Sequence, residues 1–256
     1  MWMSETLTLR CQDTLDGIFT AIYDAFVYKN QMEAPYTDSI SIEMGEGNKY
    51  NLFSREICVE TDEQKARKTV ETIQKRLGYS VYDTLLHALC HADADRATIV
   101  LGYLVRGFQK GTRIKEYLTD PYVMRVLELS RKVYKEEQKM NGFLRFRDMG
   151  TFLLSEIEPK SNLIPVIMWH FADRYPNENF VIYDLARKYA VVHQAYQNCF
   201  FITGEELQID KLAREDYFEE LWKQYFHSMG IKERKNERCQ TNMLPKWFRG
   251  NMLEFQ

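Results

Sequence analysis

The chain lacks any C-x-x-C pair: its five cysteines, Cys11, Cys58, Cys90, Cys199 and Cys239, are scattered along the whole sequence. That spacing excludes an iron–sulfur cluster held by closely set thiolates. The odd count, together with the lack of a secretory leader, predicts reduced thiols in a cytoplasmic setting. No apolar run approaches the roughly 20 residues that a membrane-spanning helix needs. Internal repeats and low-complexity tracts are missing as well.

What is present reads as an ordinary globular chain. Of 256 residues, 45% are hydrophobic and 28% charged, enough to bury a sizeable core. The net charge of −3 hides an asymmetry: residues 1–64 hold 4 basic and 12 acidic side chains, the remainder 30 and 25. An acidic front and a basic back suit a protein with one anion-facing surface, although such asymmetry also arises by chance.

Periodicity predicts an α+β chain, read as a single domain over residues 1–256. It divides into a mainly helical part, 1–120, and a core over 121–256 with a basic C-terminal tail. Leu7–Arg10 alternates as a strand, Asp13–Gly17 turns, and Ile18–Phe26 has helical spacing. Short strands are expected at Ile40–Met44 and Ile57–Glu60. Thr61-Asp-Glu-Gln caps a helix ending near Leu77, with Gly78 as its stop. Further helices are expected over 80–88, 93–107 and 120–139, the last with Pro121 at its first position. From Phe143 the period changes to two. Strands at 143–148, 151–158, 180–184 and 189–193, with a helix over 162–174, predict a four-stranded antiparallel sheet in ββαββ order. The helix should pack through Leu163, Val166, Ile167 and Phe171. A helix over 215–227 and a last short one from Pro245 complete the chain.

The densest chemical signal is Gly142-Phe-Leu-Arg-Phe-Arg147 and the helix before it. Residues 131–147 carry six basic side chains and two acidic ones: Arg131, Lys132, Lys135, Lys139, Arg145 and Arg147. As a strand, the segment places Arg145 and Arg147 on one face. The tail has a second cluster, Lys232, Arg234, Lys235 and Arg238, followed by Lys246-Trp-Phe-Arg249. Cations interleaved with aromatic rings suit base stacking with flanking phosphate contacts. A solvated helix and a tail packed on the core would carry the same residues. No segment reads as a groove-recognition helix, so base identity is expected to matter little.

A polar set is the second signal. Glu158 ends a strand, His170 and Arg174 share a helix face one turn apart, and Asp184 closes the next strand beside Arg187. A carboxylate orienting a histidine is a usable acid–base unit. The same residues equally make a buried salt-bridge network joining helix to sheet. His87 and His91 have helical metal-ligand spacing, but no third ligand follows at a defined distance, so no metal and no cofactor is expected. Asp13, Asp16 and Gly17 read as helix capping more readily than as a phosphate site, because the carboxylates would repel the anion.

Several blocks carry a family resemblance. They are Asp13-Thr-Leu-Asp-Gly-Ile-Phe-Thr-Ala-Ile-Tyr-Asp, Arg125-Val-Leu-Glu-Leu-Ser-Arg-Lys-Val, Asn141-Gly-Phe-Leu-Arg-Phe-Arg, Ile157-Glu-Pro and His170-Phe-Ala-Asp-Arg-Tyr-Pro. They continue with Ile182-Tyr-Asp, Ile231-Lys-Glu-Arg-Lys-Asn, Cys239-Gln and Leu244-Pro-Lys. Together they resemble a bacterial DNA metabolism (DNA repair) protein family whose core is a domain of unknown function, number 4130. Relatives are fused to uracil-DNA-glycosylase-like domains or encoded beside a radical-SAM protein taken to act in DNA repair. The resemblance implies a repair accessory protein that binds nucleic acid, most naturally DNA, and presents it to one of those partners. The cysteine spacing means that this chain is not itself the radical-SAM enzyme. Two other classes stay open: a nucleic-acid-processing hydrolase built on His170 and Asp184, and a protein-interaction scaffold. Convergence of Glu158, His170, Arg174 and Asp184 in an open cleft would mark the enzyme. Contiguous basic surface would mark the binding module, and an exposed apolar patch without a basic groove the scaffold.

Overall fold

The structure, a computed structural model, describes residues 6–31, 40–45, 54–203, 228, 237–250 and 252. The chain divides into two compact units, Met1–Tyr134 and Lys135–Gln256.

In the first unit, β1 (Thr6–Cys11), β2 (Ile40–Met44) and β3 (Ser54–Cys58) form a parallel sheet of order β2-β1-β3. Leu7, Thr8 and Leu9 are all buried, so both faces of the central strand are covered, as parallel sheets require. Among the described residues five α-helices follow along the chain: α1 (Leu15–Gln31), α2 (Glu63–Leu77), α3 (Tyr79–Cys90), α4 (Arg96–Lys110) and α5 (Pro121–Phe143), the last running past the division. Their boundaries follow from local chemistry. Asp62 accepts from the Gln64 and Lys65 amides at 2.8 and 3.1 Å, and Gly78 takes a φ of 90° to end α2, a backbone state that glycine reaches without strain. Asp120 accepts from the Tyr122 amide at 2.9 Å and fixes the start of α5. The Tyr122 ring lies where a Cβ on Gly102 would stand, 2.2 Å from Cδ1, so α4 and α5 meet through a glycine.

The second unit holds β4 (Arg147–Asp148), β5 (Leu153–Ile157), α6 (Ile164–Arg174), β6 (Phe180–Asp184), β7 (Tyr189–His193) and β8 (Phe200–Thr203), then α7 (Glu237–Met243) and α8 (Lys246–Arg249). The five strands form one mixed sheet in chain order. Leu163, Ile167 and Phe171 of the α6 region are buried, with Val166 at 9% exposure, which is the packing face expected from sequence. Phe146 joins that core, edge-on to Phe171 at 5.5 Å and tilted on Phe180 at 5.5 Å. On the opposite sheet face Met149, Leu154, Val181 and Ala190 make a smaller apolar cluster.

Three expectations are corrected. The sheet is not a four-stranded antiparallel ββαββ unit, because β5 and β6 pair in parallel and β8 adds a fifth strand. Residues 158–179, including α6, carry the chain back to the start of β6; an antiparallel hairpin needs only a short turn, whereas a crossover of this length delivers a parallel neighbour. The strand expected over 143–148 shrinks to Arg147–Asp148, since α5 continues through Phe143. The first half carries a three-stranded parallel sheet beside its helices. The helix expected over 215–227 lies outside the described residues. Among the described residues no helix is long and apolar enough to cross a membrane.

Candidate nucleic-acid interface

The site is built on the loop joining β5 to α6, residues 158–163, whose backbone groups are taken up by side chains from three other elements, with a fourth bonding a loop side chain. Glu136 on α5 accepts from the Lys160 and Ser161 amides at 2.8 and 3.2 Å. Arg187, in the β6–β7 turn, donates to the carbonyls of Pro159 and Lys160 at 3.2 and 2.7 Å. The Tyr189 hydroxyl bonds Asn162. Trp247 of α8 donates its indole N–H to the Glu158 carbonyl at 3.1 Å. Unpaired backbone groups in a loop are costly, so these contacts hold Lys160 and Trp247 in a defined arrangement.

Asp184 is the buried anchor of this arrangement. It is 0% exposed, accepts from the Ala186 and Arg187 amides at 3.0 Å each, and pairs with the Arg187 guanidinium at 2.9 Å. One carboxylate thereby shapes the turn and aims the arginine fork at the loop, a geometry that lysine would not reproduce.

The exposed side of the loop is cationic and aromatic. The Lys160 ammonium lies 5.2 Å from the Trp247 ring centroid, and Trp247 is 49% exposed. Next to it in sequence, Phe248 is buried against Phe143 at 5.7 Å, with Lys139 5.8 Å from its centroid. The tail segment Lys246–Arg249 is therefore docked by its phenylalanine, leaving the indole and the ammonium of Lys246 outward. A π face flanked by lysines is able to stack a base while cations hold the flanking phosphates.

The other candidate residues fall as follows. Lys135 and Arg238 are exposed in the second unit. Arg145 donates to the Gly142 and Leu144 carbonyls at 3.0 and 3.3 Å, closing the end of α5, and Arg147 pairs with Glu156 at 3.5 Å. Arg131 and Lys132 belong to the first unit, where Lys132 pairs with Glu128 at 2.7 Å. Lys232, Arg234 and Lys235 lie outside the described residues. In the polar set, His170 and Arg174 are exposed on α6, and the His170 ring packs edge-on against Phe171 at 5.1 Å. Glu158 is exposed and contributes its carbonyl. The hydrogen bonds of Asp184 run to its own turn and to Arg187, not to His170 or Arg174.

In the first unit, His87 Nδ1 contacts the Asp83 carbonyl at 2.7 Å and His91 Nδ1 accepts from the Asp93 amide at 3.0 Å. Among the described residues no group of three or more His, Cys, Asp or Glu is placed to hold a metal.

Sequence reasoning missed Lys160 and Glu136. Lys160 is one lysine in a loop and Glu136 one acid among the lysines of α5; neither belongs to a periodic or spaced pattern. Only the fold joins Glu136 to Lys160 and Lys160 to Trp247. No curated protein matches the sequence. Over residues 94–254, more than half of its length, the chain matches the family described as Domain of unknown function (DUF4130), and it belongs to that family.

Proposed function

We propose that the second unit binds nucleic acid, DNA in the first instance, on the ledge formed by Trp247, Lys160, Lys246 and Lys139. It would present the strand to a repair enzyme, the radical-SAM protein or the glycosylase-like domain that the family resemblance implies. The observation that carries this reading is the outward Trp247 ring, fixed at its N–H by the Glu158 carbonyl and flanked by Lys160. A fixed, half-exposed indole stacks a base of any identity, and lysines bind phosphate as point charges. The reading is therefore of sequence-tolerant, single-strand-preferring binding. Its support is stronger than that for a hydrolase, because the carboxylate of Asp184 is fully used in holding the turn and the loop.

The test is fluorescence anisotropy of a labelled single-stranded oligonucleotide over a salt series. Each phosphate neutralised contributes a log–log slope of about −0.7 for single strands. Replacing Lys160 and Lys246 with Gln should make the slope shallower by about one to one and a half units. Trp247→Ala should weaken binding by about 1–3 kcal/mol with little change in slope. Absence of binding at low salt, or unchanged affinity in both variants, refutes the reading.

A further inference from the structure

Helices α1, α2 and α4 of the first unit enclose a cavity of about 480 Å³, within the size range of small-molecule sites. Its floor is aromatic: Phe26 and Phe108 meet edge-on with centroids 5.4 Å apart at 69°. Its rim is cationic. Lys68, Thr72 and Arg76 follow one face of α2 at four-residue intervals, and Lys29 stands at the end of α1; all four line the cavity. The Arg76 guanidinium lies 4.8 Å from the Phe108 centroid and the Lys29 ammonium 5.9 Å from that of Phe26.

Among the described residues no carboxylate lines this cavity. The carboxylate of Asp24, on α1, is paired with Lys65 at 2.8 Å, and Asp120 is paired with Arg106 at 2.7 Å. Long cationic side chains often cover apolar surface while their heads reach water. Lys29 departs from that pattern: burial, and after it the charge of Arg106, hold its ammonium below the usual lysine range. A cation that is both partly desolvated and repelled by a neighbour gains from an incoming anion.

The chemistry selects the ligand. A bare inorganic anion leaves the aromatic floor uncovered, and a neutral ring leaves the three cations without a counter-charge. A planar heterocycle joined to a phosphate satisfies both, with Thr72, Asn30 and Gln109 along the wall as hydrogen-bonding groups. We propose that this cavity binds a nucleoside monophosphate, the base resting against Phe26 and Phe108 and the phosphate held by Lys29, Lys68 and Arg76. This is a second site, in a different unit from the Trp247 ledge and independent of it.

The experiment is isothermal titration of the full chain with adenosine 5′-monophosphate, with orthophosphate and adenosine as separate ligands. The expected dissociation constant lies between about 10 μM and 1 mM for a ligand of this size. Orthophosphate and adenosine should each bind at least about tenfold more weakly. Arg76→Gln and Lys68→Gln are changes on an exposed rim and should leave the melting temperature unchanged while weakening the nucleotide about tenfold each. Lys29→Gln should do the same. Trp247→Ala should leave nucleotide binding intact, so failure here and failure of the ledge are separable. Three results overturn the proposal. Orthophosphate matching the nucleotide in affinity shows that the aromatic floor contributes nothing. Nucleotide affinity unchanged in both rim variants removes the site. Binding of a 5′-phosphorylated oligonucleotide through these residues, with no binding of the mononucleotide, assigns the cavity to a strand end instead.

Discussion

Replacing Asp184 with Ala should destabilise the second unit by about 3 kcal/mol, which is large for one residue. The carboxylate is 0% exposed and its arginine partner 28%. Its removal leaves two turn amides, at 3.0 Å in the native protein, without their acceptor, each costing about 1–3 kcal/mol where burial is complete. It also leaves the Arg187 guanidinium without its counter-charge, and breaking a buried pair costs about 3–5 kcal/mol. Arg187 is exposed enough to regain water and keeps the Pro159 and Lys160 carbonyls, which brings the total to the lower end. A loss of that size lowers the melting temperature by about 10 °C or more in a domain of this length. Urea unfolding followed by tryptophan fluorescence reads it directly. Arg187→Met alone should be costly as well, whereas the double variant Asp184→Leu with Arg187→Met should cost less than the two singles together, because no charge is left unpaired. A loss under about 1 kcal/mol for Asp184→Ala, or strict additivity in the double variant, refutes the argument that this pair anchors the loop.

The first unit offers three sharper tests. Tyr103 is fully buried and its hydroxyl has no hydrogen-bond partner among the described residues, so Tyr103→Phe should raise stability by about 1 kcal/mol in the same urea assay. Gly102→Ala places a Cβ 2.2 Å from the Tyr122 ring; the clash, about 1–3 kcal/mol, should outweigh the gain in helix propensity of about 1 kcal/mol, giving a measurable fall in melting temperature. Burial and, after it, the charge of Asp13 push the Cys11 thiol up to about 11, while Cys58 is exposed. Iodoacetamide at pH 8 should therefore alkylate Cys58 first, with Cys11 labelled only on unfolding, as read by peptide mass mapping.

Elements whose limits are set by local chemistry were legible in the sequence. Asp62, Gly78, Asp120 and Pro121 act within one helical turn of their own position, and both ends of α2 and the start of α5 follow from them. The apolar spacing of α6 likewise revealed its buried face. Strand direction was not legible, because periodicity of two is the same in parallel and antiparallel pairs. The register of β5 on β6 is decided by a 22-residue return through α6, a non-local fact. The misplaced strand at 143–148 has a related cause: alternation of Phe143, Leu144, Arg145 and Phe146 also fits a helix end followed by an extended turn, and Phe146 satisfies its apolar demand by packing on Phe171, Tyr175 and Phe180.

The candidate interface was half legible for a different reason. The sequence showed that the tail interleaves cations with Trp247 and Phe248, and the fold places Phe248 beside Lys139 and Phe143 and Trp247 beside Lys160. What sequence inspection had no means to show is that the ledge is assembled through backbone atoms. Glu136 and Trp247 bind main-chain groups of residues 158–161, and Arg187 binds main-chain carbonyls. Main-chain partners impose no residue type on the loop, so no motif records them; Lys160 is exposed at the surface and its position is fixed by neighbours rather than by its own identity. Asp184 shows the same logic in reverse. Its residue type suggested acid–base chemistry, yet each of its hydrogen bonds is spent on the turn and on Arg187. On the proposed reading the buried carboxylate acts on a bound strand at one remove: it holds Arg187, Arg187 holds the loop, and the loop presents Lys160. On this reasoning Asp184→Ala should also weaken oligonucleotide binding, with a shallower salt slope like that of Lys160→Gln. A variant that loses stability but keeps the native slope would show that the ledge does not depend on the anchor.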